Sequence, residues 1–197
     1  MSKYIIVIHG GDSFNSYDQY IQNLRDSLPR YRNNYVDWKG SLIDTVSPEF
    51  TLLQPQMPNG SNAKYSEWEI TIDKIMNILP TGTELILIGH SLGANFWRIY
   101  LENKELKHKI LQLHLVAGCL SEGDFKASNN WSLINTQSPN KEIYIWHSTD
   151  DSVVNYSEAI IYNNKLINSK LHTFSDRGHF NQPHFEEIVA VINKLAY

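Results

Sequence analysis

The sequence predicts an α/β architecture: a mostly parallel central sheet of about six strands with helices on both faces and a minimal cap. Three observations carry this reading. Apolar, β-branched runs alternate along the chain with stretches of helical periodicity. The run Glu84-Leu85-Ile86-Leu87-Ile88 passes through Gly89-His90-Ser91-Leu92-Gly93 straight into the helix-like stretch Ala94-Asn95-Phe96-Trp97-Arg98-Ile99-Tyr100-Leu101. Two later apolar runs end in loops that carry acids and a histidine, which gathers polar chemistry just past strand ends.

The candidate strands are 4–8, 49–54, 84–88, 110–116, 142–147 and 170–174. Each is a short apolar run bounded by turn residues, the pattern of a strand covered on both faces. Helices fill the intervals. Phe14, Tyr17, Ile21, Leu24 and Leu28 share one helical face, which Pro29 ends. Tyr65, Trp68, Ile72, Ile75, Met76 and Leu79 form a second stripe, starting near Asn62 and stopped by Pro80. The last helix has Pro183 near its first turn and Glu186 and Glu187 at its positive end. Its predicted buried stripe is Phe185, Ile188, Val189, Ile192 and Leu195. Residues 30–48 are polar and aromatic without a clear period. Residues 118–140 break the alternation and read as an excursion above the sheet, too short for a large lid. No internal repeat or linker divides the chain, so one domain over 1–197 is the economical organisation.

Composition narrows the function classes. The chain has 197 residues, enough for a real core, with 42% hydrophobic and 19% charged residues, the balance of an ordinary globular protein. A net charge of -4 without a Lys/Arg cluster argues against nucleic acid or an anionic membrane as partner. Cys119 is the single cysteine, so no internal disulfide forms. The apolar run at 4–8 is too short for a secretory core or a membrane span, and a cytoplasmic location is the expectation.

Gly-x-Ser-x-Gly at a strand-to-helix junction is the nucleophile elbow of the α/β-hydrolase fold. The serine sits on a sharp turn, so the residues two away must leave room for the backbone. The turn also sets the hydroxyl at a helix start, where free N–H groups face developing negative charge. A serine hydroxyl needs a base, and the base needs an anion to orient it. The chain order Ser, Asp, His of this fold is present. Past strand 142–147 come Asp150 and Asp151; past strand 170–174 come Asp176, Gly178 and His179. His179, in a glycine-led loop, is the expected base, with His184 the second candidate. His90 is expected to point away from the chemistry, His114 to be a packed or edge residue within its strand, and His108 and His172 to lie at the surface. Asp151 is favoured as the acid, because Asp151-Ser152-Val153-Val154-Asn155 follows the pattern Asp-x-x-Val-Pro. Asp150 is the alternative, otherwise a turn or cap residue, and Asp176 reads as a loop residue. The oxyanion donors are expected to be the backbone N–H of Leu92 and that of Gly11 in His9-Gly10-Gly11-Asp12, with Asp12 the alternative.

With these motifs in hand, the chain resembles the short α/β-hydrolases of the retinoblastoma-binding serine hydrolase family, which includes YdeN-type bacterial proteins. The likeness runs from His9-Gly10-Gly11 through Phe50–Pro58 and the helix of Trp68 to Gly89–Gly93, Ser148-Thr149-Asp150-Asp151 and Gly178-His179-Phe180, with Asn155 where proline is usual. The resemblance implies the fold and a triad of Ser91, Asp151 and His179. The combined expectation is a serine hydrolase that cleaves a small-molecule ester, or else an amide or thioester, through an acyl-enzyme, with no cofactor and no metal. Trp131 and Leu133 in the excursion predict an apolar, open acyl pocket suited to short or medium chains. Two other readings remain: a non-catalytic binding module on this fold, and an acyltransferase using the same triad. The sequence carries no signal of oligomeric state.

Overall fold

In the computed structural model, residues 2–28, 36–126 and 130–196 are described. Six strands form one sheet: β1 (Lys3–Ile8), β2 (Phe50–Leu53), β3 (Glu84–His90), β4 (Lys109–Val116), β5 (Glu142–Ser148) and β6 (Ser169–Phe174). Their order is β2-β1-β3-β4-β5-β6, and every neighbouring pair is parallel. All six predicted strands are present. The helices are α1 (Tyr17–Asp26), α2 (Trp38–Thr45), α3 (Tyr65–Ile78), α4 (Leu92–Asn103), α5 (Ser132–Thr136), α6 (Tyr156–Lys165) and α7 (Glu186–Asn193).

Strand alternation splits the core into two layers. Ile6 and Ile8 of β1 join Leu85 and Leu87 of β3 beneath α3, α4 and α6, with Trp68, Phe96, Trp97 and Tyr162 as the large side chains. Ile5 and Val7 join Ile86, Ile88 and Trp146 on the opposite face beneath α2 and α7, with Trp38, Phe185 and Ile188. Because both faces are covered, the strands read as continuous apolar runs. The chain departs from β1 first to β2 on one side and then to β3 on the other, so the C-terminal ends of β1 and β3 flank a topological switch point, the usual place for a site in such sheets.

Three elements depart from the sequence expectation. Helix α1 forms, capped by the Ser16 side chain on the Gln19 N–H, yet none of its residues is buried: Tyr17 is 67% exposed and Leu24 52%. Periodicity reports a one-sided apolar face; it does not supply the surface that covers it. Pro29 lies outside the described residues. Within the stretch read as aperiodic, residues 36–48 contain α2, with Asp37 accepting from the Lys39 and Gly40 N–H groups as its cap. Two buried side chains, Trp38 and Leu42, suffice to seat it, too few to register as a period; the cap residue was the readable signal. In α7 the predicted Phe185, Ile188 and Ile192 are buried, but Val191 is buried where Val189 was expected, and Val189 and Leu195 are only half-buried. The described parts of the excursion are a short strap closed by a Glu122–Phe125 bridge and, after residue 130, the helix α5. Among the described residues, no helix is long and apolar enough to cross a membrane.

Candidate active site

The site begins with the turn between β3 and α4. Ser91 lies there with φ 56 and ψ -120, a conformation rarely adopted by a residue with a side chain; such a turn costs on the order of 1–3 kcal/mol and persists only where its surroundings impose it. The surroundings here are explicit. The Ser91 N–H donates to the Val116 carbonyl of β4 at 2.8 Å. A Cβ on Gly89 would stand 2.4 Å from the Gly93 carbonyl oxygen, and one on Gly93 would stand 2.4 Å from that of Ile8. The two glycines are the condition for α4 to descend onto the end of β1. Ser91 is 8% exposed and opens into a cavity of about 1320 Å³ above the switch point.

His179 reaches the same cavity from the loop after β6. Its Nδ1 lies 2.8 Å from Asp151 Oδ2, and the Asp151 side chain is wholly buried. The carboxylate is held from its other side by the Val153 and Val154 N–H groups, which donate to Oδ1 at 2.8 and 3.0 Å. His147 Nε2, which donates to the Val154 carbonyl at 3.0 Å, lies 3.5 Å from Oδ2. A buried carboxylate gripped in this way by backbone donors is fixed in place and can orient an imidazole. Asp150 is used differently. It accepts from the Ser148 hydroxyl and, at 3.0 Å, from the Gly178 N–H, and the hydroxyl contact holds its carboxyl below the usual range. Of the adjacent pair, Asp151 meets the imidazole and Asp150 ties down the loop that carries it. Asp176 is 78% exposed in its side chain, and His184 is exposed before α7.

The loop after β1 forms the opposite wall. His9 Nε2 accepts the Met57 N–H at 3.0 Å and Nδ1 donates to the Gly10 carbonyl at 2.6 Å, with the ring edge-on to Trp68. The Asp12 N–H donates to the Gly60 carbonyl at 2.9 Å, so that amide is committed and the Asp12 alternative falls away. Gly10 and Gly11 line the cavity, and a Cβ on Gly11 would meet the Gly60 carbonyl oxygen at 2.5 Å.

Several histidine expectations are corrected. His90 does not turn away: it is buried, and its Nε2 lies 2.8 Å from the His179 carbonyl. His108 is 8% exposed with Nε2 at 3.0 Å from the Met76 carbonyl; His172, on the edge strand β6, stays partly exposed while its ring stacks on Trp146 with centroids 4.2 Å apart. Nothing in local sequence distinguishes these from surface histidines, because the partners come from distant elements. The acyl-pocket reading is corrected too. Trp131 lies beneath the Arg98 guanidinium and against Tyr162, and neither it nor Leu133 lines the Ser91 cavity. Among the described residues that wall is largely polar, with Gln54, Gln56, Lys39, Asn181, Glu122 and Glu158 outnumbering apolar side chains such as Val7, Val153 and Val154.

This sheet, with a strained serine after its third strand and a carboxylate-paired histidine in its last loop, defines an α/β-hydrolase. A family model described as serine hydrolase matches residues 30–192, and the chain belongs to that family. It is similar to the serine hydrolase RBBP9 of Rattus norvegicus, 29% identical over 172 residues that cover 83% of this chain and 87% of that protein. Its fold is similar to that of the ydeN gene product of B. subtilis, with a TM-score of 0.67 and 18% identity over 98% of this chain and 97% of that one. It is also similar to that of Est1E from Butyrivibrio proteoclasticus in a structure with ferulic acid bound, with a TM-score of 0.63 and 13% identity over 98% and 88% of the two chains. Together these make the chain a hydrolase of the RBBP9 and YdeN-like group.

Proposed function

We propose that the chain hydrolyses a small, polar ester through an acyl-enzyme on Ser91. The reading is supported above all by the 2.8 Å contact between His179 Nδ1 and the buried Asp151 carboxylate, in the cavity that Ser91 opens into. With Nδ1–H donated to Asp151, Nε2 is left as the basic nitrogen. Ser91 Oγ attacks the ester carbonyl while Nε2 takes its proton. The carbonyl oxygen gains the negative charge, and the N–H groups of Leu92 and Gly11 are the donors this reading assigns to it. The imidazolium then protonates the departing alkoxide as the acyl–oxygen bond breaks. Water, deprotonated by the same nitrogen, attacks the acyl-enzyme and regenerates Ser91. Asp151 keeps the imidazole in the working tautomer throughout. No step calls on a metal or cofactor.

The polar wall favours compact, hydrophilic acyl or alcohol groups over long hydrocarbon. A fluorophosphonate is expected to leave one covalent adduct on Ser91, read by mass spectrometry of the digested protein; folded protein without it, beside a labelled control hydrolase, overturns the mechanism. In a p-nitrophenyl ester series, kcat/KM is expected to be highest for acetate and butyrate. Best turnover on long chains would refute the substrate class while leaving the triad untouched.

A further inference from the structure

The loop that carries His179 turns through two left-handed residues, Gly178 with φ +49 and Phe180 with φ 53. One bond closes the loop on itself, the Phe180 N–H donating to the Arg177 carbonyl at 3.0 Å, and its other peptide groups are gripped from outside. The Arg177 N–H donates to Ser148 Oγ at 3.2 Å and the Gly178 N–H to Asp150 Oδ1 at 3.0 Å, both from the end of β5. Trp38 Nε1 of α2 donates to the Phe180 carbonyl at 2.9 Å. A further grip comes from the nucleophile's own turn: His90 Nε2 lies 2.8 Å from the His179 carbonyl, and the two rings stand 5.0 Å apart.

We propose that His90 is a positioning residue, which fixes the separation of nucleophile and base by hydrogen-bonding the His179 backbone from the residue next to Ser91. The inference rests on the hydrolase reading above. A carbonyl only accepts, so the imidazole donates and its proton sits on Nε2. Burial, reinforced by the Lys39 ammonium, keeps the ring uncharged, so this tautomer persists at neutral pH. Trp38 packs T-shaped against the ring, with centroids 6.2 Å apart. The bond is short in the sense that matters: one peptide unit separates His90 from Ser91, which is itself pinned to β4 through the Val116 carbonyl. The Asp151 contact orients the His179 ring, whereas the His90 contact sets where that ring is mounted. The other grips locate the loop relative to β5 and α2 and carry no direct information about Ser91.

The test compares two polar replacements. In His90→Gln the amide nitrogen reaches roughly the place of Nε2; in His90→Asn it stops short. For p-nitrophenyl acetate, His90→Asn is expected to lose about 10- to 100-fold in kcat, the scale of a displaced catalytic group, with KM within about threefold. His90→Gln is expected to keep kcat within about fivefold of wild type by restoring the donor. Rates of fluorophosphonate labelling at Ser91 should follow the same order. Wild-type kcat in His90→Asn overturns the proposal, as does a kcat in His90→Gln below a tenth of wild type, which also decides the matter if the asparagine variant does not fold. In each of those outcomes wild-type labelling still supports the hydrolase reading. Absence of a wild-type adduct at Ser91 overturns both.

Discussion

Asp150 and Asp151 are chemically identical neighbours with opposite assignments, and their hydrogen bonds separate them. Asp151→Asn presents an amide to His179 Nδ1 and favours the wrong imidazole tautomer. It is expected to lower kcat by about a thousandfold or more while thermal unfolding shows a folded protein. Asp150→Asn keeps an oxygen for the Ser148 hydroxyl and the Gly178 N–H; a change in kcat of less than about tenfold is expected, because both hydrogen bonds are weakened and neither is lost. Steady-state kinetics of the two variants settle the pair, and the reverse order would move the orienting acid to Asp150. The Asp-x-x-Val spacing had favoured Asp151 from sequence alone. The geometry supplies the reason: the Val153 and Val154 N–H groups at that spacing fold back onto its carboxylate. His90 had no such local mark, since its partner is a carbonyl 89 positions away.

At the scale of elements, the strap after β4 is held by the helix that starts at Ser91. Arg98 of α4 is 1% exposed; it donates to Asn95 Oδ1 at 2.7 Å, to Glu102 Oε1 at 3.1 Å and to the Leu120 carbonyl, and its guanidinium lies over the Trp131 ring. Tyr162 of α6 donates to the Cys119 carbonyl at 2.8 Å. Losing one member of a buried, hydrogen-bonded ion pair costs about 3–5 kcal/mol. Arg98→Met is therefore expected to lose about that much stability by urea unfolding, with faster amide exchange over residues 119–125 than elsewhere. A variant as stable as wild type would show that packing, not the ion pair, secures the strap. The same scale explains the unread helix. Helix α2 has two buried residues, and it is stabilised through Trp38 Nε1 on the Phe180 carbonyl and the Trp38 N–H on the Gln182 carbonyl, contacts with the other end of the chain.

Over the whole molecule, several histidines are folded as neutral groups, and this gives the fold a pH dependence of known sign. His114 is fully buried beside Tyr144 and Trp146; its Nδ1 accepts the Trp146 Nε1–H at 3.1 Å and its Nε2 donates to Gln112 Oε1 at 3.0 Å. Both nitrogens are satisfied only in the neutral form, and burial pushes its pKa down to about 3. Above about pH 6.5 the ring is neutral folded or unfolded and contributes no slope. Between about 6.5 and about 3 the unfolded chain binds a proton that the folded chain refuses, so stability falls as pH falls, by up to about 1.4 kcal/mol per pH unit for each such group. His90 and His172 are shifted in the same direction by burial. Urea unfolding at pH 7.0 and 5.5 is expected to show this loss, and His114→Asn, which retains an acceptor for Trp146, to show a smaller one. An unchanged slope in that variant would place the acid sensitivity elsewhere. At this scale the sequence by itself determined the alternation of strands and helices, the elbow around Ser91 and the identity of the strand ends that carry Asp151 and His179. Each of these is written in residues near one another in the chain, as period, turn chemistry or spacing. The tertiary structure alone decided that α1 keeps its apolar face exposed, that the cavity wall is polar, and that His90 grips the base's loop. Those are contacts between segments tens of residues apart, where local periodicity carries no information about which surfaces meet.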